Sequence, residues 1–306
     1  MKKTNILVSG AAGQSGGLIL RELASRQQPV RALARNIASA KNGTDIPLIE
    51  WIEGDMLAKD TLRPALEGVE RTILISSAND RMVETQCTFI DACKEAGVNH
   101  VIKFSGEESQ EGYDAQQFRF TREHEQIEDY LEKSGIKWTH LRPSQFMQVY
   151  LRETAAISRH GALRLPLASI QMSPVDLRDV AKIAASLLIE GGYHGRSLRI
   201  TGPEALSISE IARILSDTTG KEILYVPVSW EERKTALAAT GMPGYFLDAL
   251  AEQTAERVSK PQAFIDISTH QLFDITPTTF AQFAEQHKHI FNQQILMQVS
   301  KSTFNN

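Results

Sequence analysis

The sequence predicts an α/β protein built on a doubly wound parallel sheet, with a smaller C-terminal α/β lobe. Three observations point there. Strand-like and helix-like segments alternate through the first half of the chain. One of the strand runs is apolar throughout, as a parallel strand covered on both faces requires. A glycine-spaced turn also joins the first strand directly to the first helix.

In order, Ile6 to Ser9 reads as a strand, and Ser15 to Ser25 as a helix with Leu18, Leu20 and Leu23 on its apolar side. Val30 to Ala34 and Ile46 to Glu53 are the next two strands, and Thr72 to Ser76 is the apolar fourth. The helix Val83 to Ala96 leads to a fifth strand, His100 to Phe104. The charged helix Arg122 to Lys133, closed by Ser134-Gly135, leads to a sixth, Lys137 to Leu141. After Pro143 the alternation loosens. Val175 to Glu190 is a helix, Ser197 to Thr201 a strand, and Ile208 to Thr218 a helix opened by the capping box Ser207…Glu210. Leu224 to Val228 reads as one more strand. Glu231 to Thr240 and Tyr245 to Ser259 read as helices split by Gly241-Met242-Pro243-Gly244. The expected division is a core over residues 1–150 and a C-terminal lobe over 151–306, with about 175–203 returning to the core.

The chain has 306 residues, 42% hydrophobic and 23% charged, enough to bury a substantial core. A net charge of −4 supplies no basic field, so nucleic acid and anionic membrane are not expected partners. Met1 to Asn5 runs into an apolar segment too short for a secretion signal, and no run reaches the roughly 20 apolar residues of a membrane span. Cys87 and Cys93 form no C-x-x-C pair; they read as half-buried thiols on one helix of a cytoplasmic protein. His287 and His289 lack a carboxylate or cysteine cluster at ligand spacing, so they read as solvated helix residues and no metal is expected.

The sharpest motif is Gly10-Ala11-Ala12-Gly13-Gln14-Ser15-Gly16. Gly10 permits the tight turn, Gly13 lets backbone approach a pyrophosphate, and Gly16 lets helix and strand pack closely. The helix N-terminus offers free N–H groups of Ala12, Gln14 and Ser15 to the phosphates. The unit is therefore a dinucleotide-binding Rossmann unit. About 20 residues on, an NAD site would carry an acid for the ribose hydroxyls. Here the second strand ends Ala34-Arg35-Asn36 without one, and Arg35 favours the 2′-phosphate of NADP(H). Asp55 and Met56 after the third strand suit contact with the adenine. Ser76 and Ser77, closing the fourth, suit close passage of the dinucleotide.

With these residues in place, the chain resembles the NmrA-like family of atypical short-chain dehydrogenase/reductases, above all the bacterial NADPH-dependent quinone oxidoreductases and triphenylmethane-dye reductases. The marks are the G-x-x-G-x-x-G loop, Arg35-Asn36, Gly54-Asp55 and Ser134-Gly135-Ile136 running into Thr139-His140-Leu141-Arg142. Val175-Asp176-Leu177-Arg178-Asp179-Val180-Ala181, Gly220-Lys221 and Pro227-Val228-Ser229-Trp230-Glu231-Glu232 complete them. The resemblance implies NADP(H) binding and a cleft between core and lobe for a small-molecule acceptor. It leaves open a redox sensor that binds NADP(H) without turnover, or a biosynthetic reductase of an imine, enone or ketone.

Most short-chain reductases use Tyr-x-x-x-Lys, but none of Tyr113, Tyr130, Tyr150, Tyr193, Tyr225 and Tyr245 has a lysine four residues on. Isoflavone-reductase-type relatives carry a catalytic lysine at the position matching His124; the quinone and dye reductases carry histidine there, with a glutamate matching Glu128. The resemblance thus makes His124 either a donor to a ribose hydroxyl or a proton donor to the reduced acceptor, with Glu128 one turn on along the same helix face. Ser105 and Gly106 after the fifth strand, and Ser144, Gln145 and Phe146 after the sixth, would complete the cleft, with Phe146 against the nicotinamide or a flat acceptor. Quinones suit so sparse a site, because they accept hydride readily and the phenolate formed needs little acid assistance. A monomer or homodimer is expected.

Overall fold

The computed structural model describes residues 5–41, 46–106, 114–167, 169–259 and 263–292. From the N-terminus, β1 (Ile6–Val8) runs into α1 (Gln14–Ser25), β2 (Val30–Ala34), α2 (Ile37–Lys41), β3 (Ile49–Glu53), α3 (Lys59–Leu66) and β4 (Arg71–Leu74). Then come α4 (Met82–Glu95), β5 (His100–Phe104), α5 (Arg119–Lys133) and β6 (Lys137–Pro143). A 3-10 helix (Met147–Glu153) leads into α6 (Thr154–His160), β7 (Ala162–Leu165), β8 (Gln171–Met172), α7 (Leu177–Glu190) and β9 (Arg196–Ile200). The remainder is β10 (Leu206–Ser207), α8 (Ile208–Thr219), β11 (Leu224–Pro227), α9 (Trp230–Ala238), α10 (Gly244–Ser259), α11 (Ser268–Leu272), α12 (Phe280–Gln286) and α13 (Lys288–Phe291).

Seven strands form one wholly parallel sheet in the order β3-β2-β1-β4-β5-β6-β9. The chain winds outward from β1 in one direction to β3, then returns to β4 and winds the other way. The crevice between β1 and β4 is thus the topological switch point, where open α/β sheets hold ligands. Ser9 ties the chain after β1 to the end of β4 at that crevice: its hydroxyl shares its one proton between Ile73 O and Ile75 O and accepts from the Ile75 N–H.

One face of the sheet is covered by α1 and α7, which bury Ile6, Val8, Val30, Ala32, Ile73, Ile102, Leu141 and Leu198. The other is covered by α3, α4 and α5 over Leu7, Leu33, Leu74 and Val101. A third apolar cluster joins Met147, Tyr150, Leu163, Ile211, Leu215, Phe280 and Phe283 beyond the sheet. No helix among the described residues is long and apolar enough to cross a membrane.

The structure corrects several boundaries. The third strand starts at Ile49, not Ile46, because Leu48 takes a positive φ of 68° and breaks extension. The first strand stops at Val8 and the fourth at Leu74, so Ser76 and Ser77 lie in the loop beyond β4 and do not close a strand. α3 lies where no helix was expected; Pro64 inside it hides the helical signal. The charged helix begins at Arg119, not Arg122, because a carboxylate from α10, that of Glu252, accepts the Arg119 N–H at 2.9 Å. Cys93 is wholly buried and only Cys87 is half-buried. His287 is half-buried too, its Nδ1 bonded to Phe283 O at 2.8 Å and its ring packed on Phe283; His289 is exposed.

Candidate active site

The glycine loop lies at the switch point with its steric demands in view. Gly10 has φ +58°, and a Cβ there would sit 2.9 Å from Ile75 O. At Gly16 a Cβ would sit 2.4 Å from Gly10 O and 2.8 Å from Ala11 Cα, so helix and loop approach too closely for any side chain. Gly13 is the N-cap of α1 in extended geometry, and neither a side-chain cap nor an acid in the first turn competes for the orphan N–H groups. Ala12, Gly13 and Gln14 are exposed and Ser15 half-exposed. An anion is the ligand that such a terminus suits, and the cradle fits a pyrophosphate.

At the end of β2, Arg35 is exposed and has no hydrogen bond or ion pair among the described residues. Arg31, two turns of the pleat earlier, is committed: it donates to Ala65 O at 2.7 Å and Glu67 O at 3.0 Å and pairs with Glu50. Asn36 caps α2 by accepting the Ser39 N–H at 2.9 Å. Asp55 accepts the Leu57 N–H at 3.0 Å, which orders the turn after β3, and Met56 is buried behind it. Beyond β4, Ser76 accepts from Gln86 of α4 at 2.9 Å and Ser77 is exposed.

The far end of β5 holds the residue that reading the sequence missed. Lys103 sits in a central strand with no solvent exposure, its side chain on the face under α4 and α5. Its Nζ donates to Phe104 O at 2.9 Å and lies 2.9 Å from His124 Nδ1. Burial, opposed by the attraction of Glu128 and reinforced by Arg142, pushes the ammonium down to about 7. Burial, then the charges of Lys103 and Arg142, likewise hold the His124 imidazolium well below the usual histidine range. A visible signal existed: a lysine within an otherwise apolar central strand must find a buried partner.

Glu128 was expected beside His124 on one helix face. Its carboxylate instead accepts both Nε (3.1 Å) and Nη2 of Arg142, and Ser105 adds a hydrogen bond. Glu128 is 3% exposed; burial would raise its pKa, but these bonds and the charges of His140 and Arg142 outweigh that and hold it below the usual range. His124 is thus partnered by Lys103, because β5 and β6 bring the lysine and arginine under α5 at different depths.

Gly106 is buried beside Ser105, whose N–H donates to Leu141 O. Ser144 is also buried, and its hydroxyl donates to Ser173 O at 2.6 Å, so it ties strand to loop. Gln145 is held by Arg257 of α10, and Phe146 faces Phe104 with ring centroids 6.1 Å apart. α10 straps across this end: Arg119 pairs with Glu252 at 2.6 Å, Tyr245 donates to Glu123, and Phe246 packs at a tilt against Phe120. Tyr150 is fully buried against Phe280 and its phenol is pushed above the usual range by burial, which removes it from proton exchange at neutral pH. The Asp176 of the quoted C-terminal motif caps α7 and binds Gln148 and Arg178, so that motif is a structural clasp. No cluster of metal-ligating side chains occurs among the described residues.

A parallel sheet with a glycine cradle at its switch point is the Rossmann-type arrangement in which dinucleotides are held. Within that class the chain belongs to the NmrA-like family, which matches residues 2–284. It is 31% identical over 286 residues to an NAD(P)H azoreductase of Xenophilus azovorans, covering 94% of this chain and 99% of the relative. It is 29% identical over 294 residues to quinone oxidoreductase 2 of Escherichia coli, covering 94% and 99%. The crystal structure of the NADPH-dependent quinone oxidoreductase of Escherichia coli complexed with NADPH superposes with a TM-score of 0.82 at 26% identity, covering 94% of this chain and all of that one. The triphenylmethane reductase of Citrobacter sp. shares the fold, with a TM-score of 0.80 at 23% identity over 93% and 99%.

Proposed function

We propose that this protein is an NADPH-dependent reductase that passes hydride to a quinone-like or extended aromatic acceptor. It acts in the cytoplasm as a monomer or homodimer, with a cofactor-binding core (1–150 and about 175–203) and a substrate lobe. The observation that carries the reading is the unpaired Arg35 guanidinium at the end of β2, standing where an acid would select NAD, beside a glycine cradle free to take a pyrophosphate. The similarity to enzymes named as azo- and quinone reductases supports the same class.

In this reading Gly10, Ala12, Gly13, Gln14, Ser15 and Gly16 hold the pyrophosphate, Arg35 the 2′-phosphate, and Asp55 and Met56 the adenine. Ser76, Ser77, His124 and Phe146 bound the nicotinamide end, and Ser105, Gly106, Ser144 and Gln145 line the acceptor cleft. The reduced nicotinamide, when bound, supplies the hydride. Phe146 and Phe104, their rings tilted by 54° to each other, offer an apolar wall to an aromatic acceptor, and α10 restricts water at that end.

Consumption of NADPH against a panel of quinones, azo and triphenylmethane dyes and enones tests this. Turnover with aromatic acceptors is expected; NADPH binding with no turnover across the panel would favour a sensor instead. Cofactor choice has its own test. NADPH should bind at least tenfold more tightly than NADH, about 1.4 kcal/mol, and Arg35→Ala should erase that difference. Equal affinities in the unaltered protein, measured by fluorescence titration, would remove Arg35 from the role.

A further inference from the structure

Lys103 has no part in the reading above, yet burying an ammonium in a central strand is costly and needs a reason. Among the described residues, the charged or titratable groups that act on it are five. His124 and Glu128 face it from α5, Arg142 and His140 from β6, and Cys87 from α4. Glu128 is spent on Arg142, His140 on Glu132 at 3.0 Å, and the Cys87 thiol is pushed up to about 11 by burial. Of these groups, the His124 imidazole is the one that meets the lysine nitrogen directly. An ammonium can only donate, so at Nδ1 it selects the imidazole tautomer with the proton on Nε2. Nε2 has no hydrogen-bond partner among the described residues, and His124 is only half-buried, so Nε2 is the ring nitrogen left to meet an acceptor. A proton thus has an inner holder, a bridge and an outlet.

We propose that Lys103 and His124 form a proton relay, in which Lys103 stores the proton taken up by the reduced acceptor and His124 hands it over. The inference rests on the reductase reading. Hydride addition leaves an anion on the acceptor, on oxygen for a quinone or on nitrogen for an azo bond. The Nε2–H bond of His124 breaks as the new O–H or N–H bond forms, and one Lys103 N–H proton moves to Nδ1. No electrons change hands in this step; lysine and imidazole both end neutral. A solvent proton entering at Nε2 then returns the Nδ1 proton to Lys103. Lys103 acts through His124 and touches neither cofactor nor acceptor, whereas Phe104 and Ser105, next in the chain, border the cleft.

The donor form is protonated lysine, so turnover at saturating NADPH should fall as pH rises through about 7. Lys103→Met should lower turnover of an azo dye such as methyl red by tenfold or more at pH 6 and abolish that falling limb. Turnover of 1,4-benzoquinone should fall less than threefold, because its reduced oxygen is a far weaker base. NADPH affinity should stay within twofold. A folded Lys103→Met variant with the unaltered pH profile would overturn the relay. An independent readout uses the unmodified protein without cofactor: nitrogen NMR of labelled histidine and carbon NMR of labelled lysine. A lysine titrating near neutrality, with His124 neutral and carrying its proton on Nε2 at pH 6, supports the relay. A Lys103 midpoint above 9, or a proton on Nδ1 at pH 6, overturns it. Should the unaltered protein reduce no acceptor, the reductase reading fails, while the NMR titration still decides the Lys103–His124 pair.

Discussion

Gly16→Ala should lose a hundredfold or more in NADPH affinity, about 2.7 kcal/mol, while far-UV circular dichroism stays close to that of the unaltered protein. The reason is local. The added Cβ would stand 2.4 Å from Gly10 O and 2.8 Å from Ala11 Cα, both backbone atoms. The loop has nowhere to retreat, since Gly10 O already accepts the Gly13 N–H at 3.0 Å and Gly10 itself abuts Ile75. Helix and turn must part, and the N–H groups proposed for the pyrophosphate are re-aimed. A graded series checks the cause. Gly13→Ala puts its Cβ a merely tight 3.2 Å from Gly10 O, and Gly17→Ala makes only ordinary contacts, with the flexible Arg21 side chain at 3.6 Å and Ala11 O at 3.9 Å. Affinity should fall little for Gly17→Ala, more for Gly13→Ala, further for the bulkier Gly13→Val, and most for Gly16→Ala. Equal binding by Gly16→Ala and Gly17→Ala would show that the loop is not the cofactor cradle.

Glu128→Gln should destabilise the fold by about 3–5 kcal/mol, measured by urea unfolding at pH 7. The substitution keeps the shape and removes the charge, leaving Arg142 beside Lys103 with no compensating anion in a buried layer. Because that cost is an unpaired charge and not lost packing, Glu128→Leu combined with Arg142→Met should recover most of it. A pH dependence follows from the direction of the Glu128 shift. A carboxyl whose pKa is depressed on folding contributes its full stability above the unfolded value, about 4.3, and loses it as pH falls through the lower folded value. The unaltered protein should therefore lose stability below about pH 4, and the Gln variant should lack that component. A Gln variant within 1 kcal/mol of the parent at pH 7 would mean that the pair carries little.

Much of this molecule is written in short stretches of chain. The alternation of apolar runs and amphipathic segments announces the parallel sheet, because periodicity of 2 or 3.6 residues is a property of neighbours in sequence. The loop from Gly10 to Gly16 and the missing acid at Arg35 are legible for the same reason: their chemistry lies at fixed offsets from one strand end. What escapes such reading depends on which strands lie side by side and how deep a side chain ends up. The strand pattern says that Lys103 needs a buried partner but not which one; β4 and β6 flank its strand, α5 closes over it, burial moves its pKa and His124 becomes that partner. Glu128 turns to Arg142, 14 residues on, and not to the histidine one turn away, because β6 delivers a guanidinium to the floor of α5. The true start of α5 depends on Glu252, 133 residues beyond Arg119. Local spacing is written in the order of residues, whereas desolvation and long-range pairing exist only once the chain has folded, and the ionisation of Lys103 and His124 is set by those two alone.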